Sequence, residues 1–151
     1  MAGLWYEEFE IGMEWKHPIT RTVTEMDNIL FTALTHNPQP LHLDEEFAKE
    51  NSQFGQRLVN SIFTLGLMIG VSVEETTLGT TVGNLGMTDC VFRNPVFHGD
   101  TITSYTKILD KRESRSRPEV GIVTFEHWAL NQRVQEVARC KRQGMMKKRP
   151  S

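Results

Sequence analysis

The stretch Leu58-Val59-Asn60-Ser61-Ile62-Phe63-Thr64-Leu65-Gly66-Leu67-Met68-Ile69-Gly70-Val71-Ser72-Val73 decides the fold. Leu58, Ile62, Leu65, Leu67, Ile69 and Val73 cover more than one face of a helix. A helix that is apolar nearly all round must be enclosed by other elements. Gly66 and Gly70 lie one helical turn apart on a shared face, which predicts close packing of that face against a sheet. The run is short for a membrane span, which needs roughly 20 apolar residues. Asn60, Ser61, Thr64 and Ser72 also interrupt it.

Before this helix, Trp15 to Thr22 reads as a strand. Thr24 offers an N-cap oxygen, with Glu25 and Asp27 in the first turn. Met26, Ile29, Leu30, Ala33 and Leu34 recur at helical spacing and predict an apolar helix face. Pro38 and Pro40 end that helix near Thr35, because proline removes a backbone donor and biases its predecessor toward extended geometry. Asp44 is the next N-cap, for a short helix over Glu45 to Glu50. After Gly79 the pattern changes. Thr80 to Phe92, Thr101 to Leu109, Val120 to Ala129 and Val134 to Met146 are rich in β-branched and aromatic residues and read as strands. Asn94-Pro95, Gly99-Asp100, Arg117-Pro118 and Asn131-Gln132 supply the turn chemistry between them. One buried helix followed by a long antiparallel meander predicts an α+β chain of the hot-dog type: a curved antiparallel sheet wrapped around one long central helix, as a single domain over residues 1–151. A sheet this small leaves a face in need of cover, so a homodimer or higher homo-oligomer is expected.

Composition narrows the function classes. At 151 residues the chain is long enough for one good core, and 38% hydrophobic with 24% charged residues excludes a disordered protein. A formal net charge of -2 argues against nucleic acid held by bulk charge. Basic residues do cluster late, in Lys111 to Arg117 and Arg139 to Arg149, which leaves room for a local anion site. Met1 to Phe9 carries acids where a secretory signal needs a basic start. Cys90 and Cys140 have no metal-ligand spacing and read as free, buried thiols, which fits a reducing cytoplasm.

The most unusual local sequence is Thr35-His36-Asn37-Pro38-Gln39-Pro40-Leu41-His42-Leu43-Asp44. Its prolines stiffen a loop that carries two histidines and two amides. A histidine titrates near neutral pH, so a stiff loop can hold one as a general base. The residue types alone are equally those of a stiff turn whose histidines bond to backbone or water.

Pro40-Leu41-His42-Leu43-Asp44-Glu45-Glu46-Phe47-Ala48 resembles the signature of the MaoC-like dehydratases, or R-specific enoyl-CoA hydratases. Arg57-Leu58-Val59, entering the central helix, and the turn Pro95-Val96-Phe97-His98-Gly99-Asp100 are similar to two further stretches of that family. The resemblance runs from about Tyr6 to Lys148. It implies a hydro-lyase acting on a 2-enoyl-CoA or 3-hydroxyacyl-CoA, with the coenzyme A thioester as substrate and no metal or organic cofactor. It also implies no nucleic-acid or membrane partner.

Aligned on His42, the family's catalytic Asp falls on Asn37 and its Asn on Gln39. The glycine whose N–H holds the thioester oxygen falls on Ser61, preceded by Asn60 where the family has His, and a serine further along falls near Ile69. The resemblance therefore implies His42 as the proton-handling residue, Asn37 as a positioner of water and the Ser61 N–H as the group that polarises the thioester carbonyl. Gln39, His36, Asn60, Arg57, Arg115 and Arg117 are the candidate substrate-binding residues. Lys111, Arg112, Arg115 and Arg117 form a basic turn that is either a solvated hairpin end or a contact for the phosphates of coenzyme A. Asp44 is expected to be an N-cap and Asp100 a turn residue. Gly83 to Gly86 and Lys111 to Val123 look closest to members acting on short branched or dicarboxylic acyl-CoAs, of itaconyl or mesaconyl type. The rival readings are a thioesterase, which needs a carboxylate from the central helix nearer the thioester than Glu74 and Glu75, and a non-catalytic acyl-CoA-binding protein, motivated by Asn37.

Overall fold

The computed structural model describes residues 3–150. A 3-10 turn at Tyr6–Glu8 leads into β1 (Glu14–Thr22), α1 (Glu25–Leu34), α2 (Pro40–Leu43), α3 (Glu45–Asn51), α4 (Ser61–Thr76), β2 (Thr81–Val91), β3 (Thr101–Glu113), β4 (Val120–Leu130) and β5 (Glu136–Lys147). The strands form one five-stranded sheet in the order β1-β3-β4-β5-β2. Every pairing is antiparallel. Helix α4 packs across β1, β3, β4 and β5. This is the expected α+β hot-dog arrangement.

Burial on α4 follows one stripe, Thr64, Met68, Ser72 and Thr76. Met68 is fully buried against Val59, Val96, Ile102, Val137 and Cys140, with Phe63, Leu65, Leu67 and Ile69 packed at its margin. A second core cluster joins Tyr6 and Phe9 of the N-terminal segment to Ile108, Val123, Phe125 and Met146. Lys111 fastens that segment by donating from Nζ to the carbonyl oxygens of Tyr6, Glu7 and Phe9.

The structure corrects several expectations. Gly66 and Gly70 are exposed, and a Cβ at either would meet nothing within 4 Å. They face away from the sheet because the buried stripe runs through Thr64 and Met68. In α1 the apolar face is outward: Met26, Leu30 and Leu34 are exposed, whereas Asn28 and Thr32 are fully buried. The inward positions are polar because Asn28 bonds to neighbouring backbone and the Thr32 hydroxyl accepts from the Asn60 side-chain amide. Pro40–Leu43 is a short helix rather than plain loop, with Pro40 at its first turn, where the missing N–H costs nothing. Strand β3 continues to Glu113, so Lys111 and Arg112 belong to strand and not to the turn. Cys90 is exposed; Cys140 is buried, and burial pushes its thiol up to about 12, so it stays protonated.

Candidate functional site

The N-terminal end of α4 is where the chain's polar loops converge. Asn28, on α1, is their hub. Its Nδ2 faces the carbonyl oxygens of His42 and Leu58 at 3.3 and 3.1 Å and His98 Nε2 at 3.0 Å. Its Oδ1 accepts from the Asn60 N–H at 2.9 Å. One buried amide thus joins α1, α2, the segment before α4 and the turn before β3. Satisfying these groups is why α1 buries Asn28 and not its apolar face, since an orphaned buried carbonyl or N–H costs about 1–3 kcal/mol.

His42 sits half-buried at the end of α2, with Nδ1 2.7 Å from the Leu58 carbonyl oxygen. A carbonyl only accepts, so Nδ1 carries the proton and Nε2 presents its lone pair. Among the described residues Nε2 has no partner. His98 is held in the same Nδ1–H tautomer, but with its second nitrogen occupied: an amide nitrogen only donates, so its Nε2 is the acceptor and Nδ1 holds the hydrogen. Burial, then the charge of Arg57, lower its pKa below the usual histidine value and keep it neutral.

Three residues beyond Leu58, α4 begins. Asn60 is 5% exposed and caps the helix: its Oδ1 accepts from the Ile62 N–H at 3.0 Å and its Nδ2 reaches Thr32 Oγ1. Asn60, a candidate substrate-binding residue, thus has each of its polar side-chain atoms bonded inside the fold. Ser61 follows, half-buried, and its N–H has no partner among the described residues. A free N–H at a helix start combines a donor with the positive end of the helix dipole.

Asn37 lies in the approach to α2. Its N–H donates to the Thr32 carbonyl, and its Oδ1 accepts from the Gln39 N–H at 3.0 Å, an Asx turn that leaves Nδ2 as the group able to donate outward. Gln39 and His36 are exposed; His36 has a left-handed backbone, φ 53°. Asp44 caps α3 by accepting from the Phe47 N–H. Asp100, 5% exposed, accepts from the Phe97 N–H and from Gln132 and is more deeply built in than a plain turn residue.

Arg57 was expected to meet substrate. It is instead clamped between Glu25 at 2.9 Å and Glu45 at 2.7 Å, tying the starts of α1 and α3 to the approach to α4. Arg115 and Arg117 sit beyond the far end of β3 from His98-Gly99-Asp100. That strand is 13 residues long, about 40 Å at the usual rise. Within one chain they cannot line the same cavity as Ser61, and Arg117 pairs with Glu119. Sequence reasoning missed Asn28, Thr32 and His98. An amide inside an otherwise apolar helical pattern was the available signal.

A cavity of about 330 Å³ opens beside Ser61, lined by Leu58, Val59, Thr64, Phe92, Arg93 and Val96 among others. Leu58 also holds His42, so the histidine, the free N–H and the cavity are arranged along one short segment.

The MaoC like domain family matches residues 8–129. The chain belongs to that family. The mesaconyl-CoA hydratase of Cereibacter sphaeroides is 28% identical over 148 residues, covering 98% of this chain and 42% of the relative. The chain thus spans less than half the length of that curated relative. Among solved structures, a protein of Archaeoglobus fulgius described as a monoamine oxidase regulatory protein is 29% identical with a TM-score of 0.87, covering 99% of this chain and 98% of the other. A Mycobacterium tuberculosis protein with a double hot-dog fold superposes with a TM-score of 0.88 at 17% identity, covering 99% of this chain and 46% of that one, a likeness of fold alone. No helix among the described residues is long and apolar enough to cross a membrane.

Proposed function

We propose that this MaoC-like domain is a hydro-lyase that adds water reversibly across a 2-enoyl-CoA. The observation that carries it is His42: Nδ1–H is fixed on the Leu58 carbonyl, and Nε2 is left bare at the head of α4. A base locked in one tautomer is preorganised for proton transfer. The Ser61 N–H polarises the thioester carbonyl, which acidifies the α-carbon and stabilises an enolate-like oxygen. His42 Nε2 takes a proton from water as it attacks C3 and delivers one to C2. The Asn37 Nδ2 group holds the water or the forming hydroxyl. No metal or organic cofactor takes part, because the thioester itself supplies the activation.

The substrate is a short branched or dicarboxylic enoyl-CoA. The mesaconyl-CoA hydratase likeness supports this class. The working unit is a homodimer. Strand β2 is a sheet edge that exposes Val82, Leu85, Met87 and Val91, an apolar strip that a second copy can cover. A reducing cytoplasm suits the exposed thiol of Cys90. Thioester hydrolysis is disfavoured because Glu75, at the far end of α4, is committed to His17. The test is turnover on a panel of 2-enoyl-CoAs, alongside calorimetric binding of the same thioesters. Hydration that His42→Ala removes supports the hydro-lyase. Binding without turnover turns the reading to an acyl-CoA-binding protein.

A further inference from the structure

Several hydroxyls on or just beyond the helices bond back to a carbonyl of the preceding turn. Thr35 Oγ1 donates to the Phe31 carbonyl, Ser72 Oγ to Ile69 and Thr76 Oγ1 to Ser72, at 2.9, 2.7 and 2.6 Å. Thr64 stands on the same buried stripe as Ser72 and Thr76 and is 2% exposed, yet its Oγ1 has no hydrogen-bond partner. A buried hydroxyl without a partner is costly and calls for an explanation. Thr64 faces the 330 Å³ cavity beside Ser61.

The surroundings of that hydroxyl define what completes it. Val59, Val96, Val137, Phe92 and Phe54 make most of the wall apolar, and no acidic side chain lines it. The positive end of α4 lies one turn away. Arg93 stands at the rim, exposed and paired with Glu136. Ser61 and Thr64 are separated by three residues, about 4.5 Å along the helix axis. That is close to the C1–C4 span of an extended four-carbon chain.

We propose that Thr64 is a specificity-determining residue whose hydroxyl donates a hydrogen bond to a carboxylate carried by a short acyl chain. This rests on the acyl-CoA reading of the site, not on its catalysis. With the thioester oxygen at the Ser61 N–H, an acyl group of this length entering the cavity brings its distal carboxylate to Thr64 Oγ1. The apolar wall accepts a methyl branch.

Succinyl-CoA and butyryl-CoA separate the idea from its rivals, because they match in chain length and neither can be hydrated. Calorimetry on the intact protein is expected to show tighter binding of succinyl-CoA. Thr64→Val keeps the shape and removes the orphaned hydroxyl, so its thermal midpoint stays level or rises. It should weaken succinyl-CoA by about 10- to 100-fold and leave butyryl-CoA unchanged, while Thr64→Ser restores the preference. Equal affinity of the parent for the two thioesters overturns the assignment, as does an equal loss on both in Thr64→Val. If the parent hydrates no enoyl-CoA but keeps the succinyl preference, the hydro-lyase reading fails and the role of Thr64 stands.

Discussion

The two ends of α4 both gather histidines, and they treat them in opposite ways. At the C-terminal end, Glu75 Oε2 meets His17 Nδ1 at 2.6 Å, His17 Nε2 meets Thr106 Oγ1 at 2.8 Å, and Thr106 Oγ1 meets His127 Nδ1 at 2.9 Å. Arg142 Nε then donates to His127 Nε2 at 3.1 Å. Arginine only donates, so His127 must accept at Nε2 and carry its hydrogen on Nδ1. The rest of the chain follows: His127 donates to Thr106, Thr106 to His17, and His17 to Glu75. Both rings are essentially fully buried and every ring nitrogen is used. At the N-terminal end, His42 is half-buried and keeps one nitrogen bare. The lesson is that a histidine's role is set by what its second nitrogen meets. A ring satisfied on both sides holds the sheet to the helix; a ring satisfied on one side is aimed for chemistry.

Breaking each end should therefore fail differently. His42→Ala is expected to lower turnover by about 10²–10⁴-fold, with the thermal midpoint and CoA-thioester affinity nearly unchanged. Steady-state kinetics beside a melt check this, and a folded variant with parental turnover would erase the contrast.

His127→Leu is expected to do the reverse. It orphans Arg142 Nε inside the core and takes away the donor to the Thr106 hydroxyl, which keeps only His17, at a cost of about 2–5 kcal/mol, read by denaturant unfolding. The molecules that remain folded should keep the parental turnover number.

Acid sharpens the same distinction. Burial, then the charge of Arg142, pushes the His127 pKa down to about 3 from 6.5. Above the unfolded value both states are neutral there and the stability is fully present. As pH falls below it, the unfolded chain takes up a proton that the fold refuses. Stability should then drop by up to about 1.4 kcal/mol per pH unit until the folded value is reached. His127→Gln, which can still accept from Arg142 and donate to Thr106, should flatten that slope.

Asn37→Asp probes the open end more gently. A carboxylate still accepts from the Gln39 N–H, so the turn survives, but the outward donor is lost. If the amide donates to a substrate oxygen, activity on a dicarboxylic enoyl-CoA should fall by about 1–3 kcal/mol in kcat/KM. A gain on every enoyl-CoA, crotonyl-CoA included, would instead mark Asn37 as a lost acid–base group.

The smallest effect is expected far from either end. Arg115→Ala with Arg117→Ala removes exposed charges beyond the far end of β3, and stability should change by less than about 0.5 kcal/mol. A salt-dependent loss of CoA affinity would show that a second chain brings this turn to the site.

How much of this was legible follows from what sequence patterns encode. The central helix, the strands and the Asp44 cap were readable, since apolar periodicity, β-branched runs and cap chemistry are local; the expected meander holds only for β3-β4-β5, because β2 crosses to pair with β5. The loop carrying Asn37 and His42 was readable from its prolines and from its resemblance to a family. The face that α1 buries was not readable, because a helix amide is normally exposed and only the carbonyls of His42 and Leu58 make Asn28 an inward residue. Nor was the role of Arg57, whose carboxylate partners lie on different helices.

The sequence by itself determined the elements, the hot-dog class and the short list from which any mechanism must draw. Only the tertiary structure decided which histidine is free, that Asn60 is a cap, and that Thr64 holds an unsatisfied hydroxyl against a cavity. The physical reason is that propensity and periodicity act between neighbours in the chain. A tautomer, a clamp or an orphaned donor is fixed by partners such as Leu58, Glu25 or Asn28, which only folding brings within hydrogen-bond distance.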